Sequence, residues 1–383
     1  MQPIYLDHNA TAPMPPEVAQ AMQRAHRDAP GNPASSHAAG RHARKLLEDA
    51  RAQIAEMLGA QSSGPQADRV IFTSGGTEAN NLAILGFSGE APGQMVISAI
   101  EHPSVTGPAA ELEQRGWQVD RLPVTRSGVI ELHRLDALIS PETRLVSIML
   151  ANNETGVLQP VDEVVAICRA QGVPVHTDAV QGVGKLPVDF RQLGVQAMTV
   201  SAHKLHGPVG IGALVIGSDL PLRPRLHGGH QQAGVRPGTE SVALAVGMRE
   251  ALSLWRQESS ERATRMTELR DRFEGQLKGQ IPDVVVHGQS VDRLPSTSCV
   301  SFPGLDRQML LIALDQAGVA CSTGSACASG STEPSPTLVA MGLEKGLLDS
   351  ALRFSFGAGT TAVEVDRAIE QIGRICDRFR SGK

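Results

Sequence analysis

One unit recurs along the first half of this 383-residue chain and limits what it can fold into: an apolar run, a polar tip, then a helical pattern. Arg69-Val-Ile-Phe-Thr73 enters Ser74-Gly-Gly-Thr77 and a helix-like stretch, 78–85, that Gly86 is expected to stop. Residues 96–100 end in Glu101-His102-Pro103-Ser104. Residues 145–150 end in Ala151-Asn-Asn-Glu-Thr-Gly156, with a helix beyond Pro160. Residues 173–176 end in Thr177, Asp178 and Gln181. Continuously apolar strands alternating with helices specify an open, mainly parallel α/β sheet, because only a sheet covered on both faces hides such strands. Ligands of such sheets sit at the strand ends, where these tips gather.

The last tip is the most telling. Met198-Thr-Val-Ser-Ala-His-Lys204 passes through a Gly/Pro-rich turn, 207–212, into Ala213-Leu-Val-Ile216. A lysine between two strands, set among Ser201, His203 and glycines, suits a buried pocket in which desolvation lowers its pKa and frees the amine as a nucleophile. Ser74-Gly-Gly-Thr77 presents backbone N–H groups and the positive end of a helix dipole to an anion, with the Thr77 hydroxyl beside them. No GK[ST] follows and no GxGxxG is present, which argues against a Walker loop and an NAD dehydrogenase. A Schiff-base lysine, a phosphate cradle and an aspartate (Asp178) for a pyridinium nitrogen together specify pyridoxal 5′-phosphate. Gly76, Thr77, His102, Asn153, Asp178, Gln181, Ser201, His203 and Lys204 all lie at such tips.

Composition removes other classes. The net charge is −5 and aromatics are 3% of residues, so there is no basic, aromatic-studded surface for nucleic acid and no field for anionic lipid. No run of about eighteen apolar residues occurs, and MQPIYLDHNA lacks a signal-peptide core. Five irregularly spaced cysteines form neither a disulfide framework nor a CxxC pattern, so a cytoplasmic enzyme is expected. Cys168, Cys299 and Cys376 fall on apolar patterns and read as core. Cys327 lies in the middle of a small, polar, glycine-rich loop, 320–334, with no core to fill, and is a candidate nucleophile.

A helix is expected over 40–58 with Gly59 as its cap, and two helices over 242–254 and 259–277 with a domain boundary between them. The C-terminal part reads as βαβ-like: strands at 284–287, 298–302 and 352–356, helices at 307–316 and 363–379.

The blocks YLDHNAT, GNPASSH, FTSGGTEANNLAI, EHPS, NNETG, HTDAVQGVGK, SAHKLHGPVGIG, RPGTES, STGSACASGS and RFSFG run in order over nearly the whole chain. In them the chain resembles the cysteine desulfurases, class-V aminotransferases of the fold-type-I architecture, and among these the group with a long cysteine loop. The resemblance implies a large cofactor-binding domain with a mainly parallel sheet, 13–256, and a smaller α/β domain, 1–12 with 257–383, carrying the loop. It implies Lys204 as the Schiff-base lysine, His102 stacked on the pyridine ring and moving protons, and Asp178 on the ring nitrogen. Gln181 and Asn153 would bond cofactor and substrate oxygens. Gly76, Thr77, Ser201 and His203 would hold the phosphate, with Thr239 reaching it from the second subunit of a homodimer. Arg353, beside Asn153, would clamp the carboxylate of L-cysteine. Cys327 would take the sulfur as a persulfide, pass it to an iron–sulfur scaffold or sulfur-carrier protein, and serve there as a transient iron–sulfur ligand. No nucleic acid or membrane contact is implied.

Two features depart from the family pattern. Cys321 is a second cysteine six residues before Cys327, and the chain ends soon after its last helix, where longer members carry a tail that helps dock a scaffold. The competing expectations are a selenocysteine lyase or other class-V β-lyase, and a catalytically silent assembly partner. The long cysteine loop argues against the first, and intact Lys204, Asp178, His102 and Cys327 against the second.

Overall fold

The structure, a computed structural model, describes residues 3–89, 91–218, 220–281, 283–324 and 333–382. β1 (Ile4–Tyr5) opens it, followed by helices Pro16–Asp28 and Ala38–Met57, the second closed by Gly59 at φ +72°. Seven strands then form the main sheet: β2 (Arg69–Thr73), β3 (Gln94–Ser98), β4 (Gln118–Leu122), β5 (Thr143–Ser147), β6 (Val175–Asp178), β7 (Ala197–Ser201) and β8 (Gly212–Ile216). Their order is β2-β8-β7-β6-β5-β3-β4, and every pairing is parallel except the two made by β8.

Alternation along the strands divides the core between the sheet's two faces. Ile71, Leu214 and Ile216 pack with Leu82 and Ala83 of the helix Gly76–Phe87. Val70, Phe72, Val200 and Val215 face the other way, onto Leu47 and Ile54 of the helix Ala38–Met57. Gly86 does not stop its helix. It lies inside it as a close-packing residue, where a Cβ would fall 2.4 Å from Leu222 Cδ1.

The two helices expected after residue 242 are one. Val242–Gln280 runs unbroken for 39 residues. The polar stretch 255–260 contains no glycine or proline, and an Arg262–Glu258 pair at 2.7 Å, one turn apart, supports it. The helix joins two cores, with Met248 and Leu252 in that of the main sheet and Leu269, Phe273 and Leu277 in a second.

The second core gathers Phe273, Phe302, Phe354 and Phe356 with Ile4 and Leu6 from the chain's start. It underlies β9 (Val285–Val286), β10 (Thr297–Ser301), β11 (Val319–Ala320) and β12 (Ala351–Ser355). The βαβ expectation fails here. β10 is antiparallel to both β9 and β12, because the helix Arg307–Gln316 delivers β11 to a separate parallel pairing with β1, and β12 returns in the opposite sense. No helix among the described residues is long and apolar enough to cross a membrane.

Candidate active site

A cavity of about 290 Å³ opens where the tips of β2, β3, β5, β6 and β7 meet. From β2 come Gly76 and Thr77, in the first turn of a helix whose N-cap, Gly75, supplies no side-chain bond to its free N–H groups. β8 passes so close beneath that a Cβ at Gly212 would fall 2.7 Å from the Gly75 carbonyl carbon. β3 leads to His102, β5 to Asn153, β6 to Asp178 and Gln181, and β7 to Ser201, His203 and Lys204. Arg353 enters from β12, so the second core contributes to the same cavity.

Each side chain is held. Asp178 accepts from Asn80 Nδ2 at 2.7 Å and from the Val180 N–H at 2.9 Å. Asn80 Nδ2 also bonds Ser104 Oγ at 2.8 Å, and that hydroxyl lies 2.7 Å from His102 Nδ1. The Ser104 N–H donates to the same Nδ1 at 3.1 Å, which assigns the imidazole proton to Nε2. Burial holds His102 below the ordinary histidine value, against the pull of the Asp178 charge, so the ring is neutral at pH 7. Lys204 Nζ donates to the carbonyls of Asn9 and Ala10, both at 2.7 Å. Burial, then the charges of Lys204 and Lys185, lower His203 to about 4.

Arg353 is 2% exposed. Its Nη1 donates to the Asn153 carbonyl at 3.0 Å and its Nη2 to Asp7 Oδ1 at 2.7 Å, while Nε has no partner among the described residues. The guanidinium is therefore fixed in place with donor capacity left for an incoming carboxylate.

Sequence reasoning missed Asn80, Lys185 and the hub role of Asn9. Asn80 lies one helical turn beyond Gly76, so its spacing already put it on the cradle's face. Lys185, 4% exposed, donates to Asn9 Oδ1 at 2.9 Å and to Gln181 Oε1. With its oxygen occupied, Gln181 turns Nε2 to the Asn9 carbonyl at 3.1 Å, and the amide's second N–H stays available. Asn9 Nδ2 donates to Asn153 O at 3.1 Å and to Thr297 Oγ1 at 2.9 Å, tying the site to β10.

One expected residue lies elsewhere. Thr239 lines a different surface cleft of about 320 Å³ with Asn32, Arg44 and Glu240. Cys327 lies outside the described residues. Cys321 follows β11, and burial raises its thiol pKa.

The residues fit a pyridoxal phosphate. The Ser201 hydroxyl is buried beside Gly76 with no partner among the described residues, which leaves a donor for a phosphate at a helix N-terminus. Asp178 offers its remaining lone pairs to a ring N–H, and Lys204 supplies the amine.

Comparison with known proteins agrees. The aminotransferase class-V family model matches residues 4–368. The cysteine desulfurase IscS of Dictyoglomus turgidum is 40% identical over 381 residues, covering 99% of this chain and 95% of its own length. The chain belongs to the class-V aminotransferase family, among its cysteine desulfurases. A cysteine desulfurase of Trichormus azollae is likewise 40% identical, over 100% of this chain and 94% of its own length. A solved NifS-like protein superposes with a TM-score of 0.91 at 33% identity, covering 98% of this chain and 100% of that one. The cofactor of this class-V enzyme is pyridoxal 5′-phosphate.

Proposed function

We propose that this desulfurase takes L-cysteine, releases L-alanine and leaves the sulfur as a persulfide on Cys327, for an iron–sulfur scaffold or sulfur-carrier protein. We propose further that it works as a cytoplasmic homodimer in which Thr239 serves the partner's cofactor phosphate. The observation that carries the reading is the meeting of Lys204, Asp178, His102 and Arg353 on one cavity. The bound cofactor supplies an electron sink that makes the substrate Cα–H acidic and the Cβ–S bond labile.

The protein's residues do the rest. Gly76, Thr77, Ser201 and His203 hold the phosphate. Asp178 keeps the ring nitrogen protonated, its orientation fixed by Asn80 and Val180. Gln181 offers its free amide N–H to the ring hydroxyl. Arg353, with Asn153 beside it, receives the substrate carboxylate and so aims Cα at Lys204. Lys204 Nζ removes the Cα proton and returns it. His102, neutral with its proton on Nε2, would lie against the cofactor ring and could give that proton there. The Cys327 thiolate attacks the substrate sulfur. The Cβ–S bond breaks, its electron pair stays with carbon, and proton return yields alanine. One sulfur atom moves from cysteine to Cys327, so the reaction needs no external oxidant or reductant. An unperturbed thiol is only a few per cent thiolate at pH 7, so a base at the site must take its proton, and the substrate amine serves, because the His102 lone pair is on Nδ1, which accepts from the Ser104 N–H.

The test is product analysis with a dithiol present. L-cysteine should yield alanine and sulfide in equal amounts, and Lys204→Ala neither. Turnover of L-selenocysteine with none of L-cysteine would transfer the assignment to a selenocysteine lyase.

A further inference from the structure

Glu154 belongs to the NNETG tip after β5 but does not line the cavity, and its carboxylate has no part in the reaction as described. It is 3% exposed. Burial raises its carboxyl above the usual range, opposed first by the Ser335 hydroxyl and then by the Arg353 charge. Buried carboxylates without a purpose are costly, so its surroundings are informative.

Those surroundings are the two ends of the segment that carries Cys327. On the C-terminal side, Ser335 Oγ donates to Glu154 Oε2 at 2.5 Å. The same hydroxyl accepts from the Leu338 N–H at 3.2 Å and caps the helix Pro336–Ala340. On the N-terminal side, Gly324 packs against the same oxygen, where a Cβ would fall 2.4 Å from Glu154 Oε2 at φ +117°, while the Gly324 N–H donates to Ser322 Oγ at 3.3 Å. Just before it, Ser322 exchanges both backbone hydrogen bonds with Arg353, at 3.1 and 2.7 Å. Glu154 is in turn fixed to the site. Its N–H donates to Asn152 Oδ1 at 3.0 Å, and the adjoining Asn153 carbonyl accepts from Arg353 Nη1.

We propose that Glu154 is a positioning residue for sulfur transfer, pinning both ends of the Cys327 segment to the side of the cavity where Arg353 receives cysteine. The inference rests on Cys327 as sulfur acceptor. Removing the carboxylate takes away the acceptor that Ser335 uses and the surface that Gly324 packs against, so the effective concentration of the thiol at the substrate sulfur falls.

The experiment separates binding from transfer in the holoenzyme. Cysteine binding is read from the change it causes in cofactor absorbance, and transfer from the rate of persulfide labelling in a single turnover. Glu154→Ala should leave the binding midpoint unchanged and slow labelling several-fold. Glu154→Gln, which keeps an acceptor for Ser335, should restore most of the rate. Ser335→Ala, which releases one end only, should slow labelling less, and it stands in should Glu154→Ala fail to fold. Labelling at the wild-type rate in Glu154→Ala overturns the inference, as does an equal loss of binding and transfer. Cys327→Ser is run beside them. If it still forms a persulfide, the reading of the acceptor fails. If it does not, and Glu154→Ala is normal, only the positioning role fails.

Discussion

Replacing Lys185 by methionine probes the support beneath the site. Lys185 Nζ is buried between Asn9 Oδ1 and Gln181 Oε1. Burial, then the charges of Lys204 and Arg353, hold its pKa well below the ordinary lysine value. In the unfolded chain the amine titrates near 10.4 or about that value. Between the lowered folded value and that pH, the unfolded state binds one more proton than the folded state. The penalty for burying this amine is therefore complete at low pH and is relieved as pH rises through the window, by about 1.4 kcal/mol per pH unit. Methionine is similar in length and carries no titrating proton. Wild type should thus gain about 1.4 kcal/mol per pH unit relative to Lys185→Met as pH approaches the unfolded value from below. The assay is urea unfolding of cofactor-free protein at several pH values, comparing the two proteins so that other titrating groups cancel. The variant should also bind pyridoxal phosphate more weakly, because the Gln181 amide is free to turn over. Parallel pH dependences would refute the reasoning, since they would mean that Lys185 keeps its proton in the fold.

Arg353→Lys keeps a positive charge beside Asp7 but loses the planar fork, so the Michaelis constant for L-cysteine should rise at least about tenfold with the cofactor still bound; an unchanged value would remove Arg353 from carboxylate binding. Mixing Lys204→Ala protein with Thr239→Ala protein should regenerate activity after subunit exchange, because one site of each mixed dimer would hold both intact groups. No recovery after confirmed exchange would place Thr239 outside the partner's site.

The main sheet was legible because its strands are short, apolar throughout and closed by polar tips, and a sheet buried on both faces leaves that imprint on a sequence. The same pattern brought nine tip residues, Gly76 to Lys204, to one cavity. What escaped depends on tertiary burial. Lys185 sits in a glycine-rich turn where a charge normally meets water, and only the packing of Asn9 and Gln181 around it makes it a structural amine. The polar stretch 255–260 looked like a break because composition shifts there, although an exposed helix face between two cores has that composition too. The antiparallel second sheet was unreadable locally, since the sense of β12 is set by where β11 goes, and β11 pairs with a strand more than three hundred residues away. Glu154 stood in a quoted motif, but its partners arrive from residues 324 and 335.

The central claim is that sulfur leaves cysteine for Cys327. Cys321, the alternative thiol, packs against the second core, and burial raises its pKa, so it is a poor nucleophile. The direct measurement is a single turnover with less L-cysteine than enzyme, followed by alkylation and peptide mass spectrometry. The account predicts the mass of one extra sulfur atom on the Cys327 peptide, alanine matching it in amount, and neither product from Cys327→Ser. Sulfur found on Cys321, or normal turnover by Cys327→Ser, would contradict it.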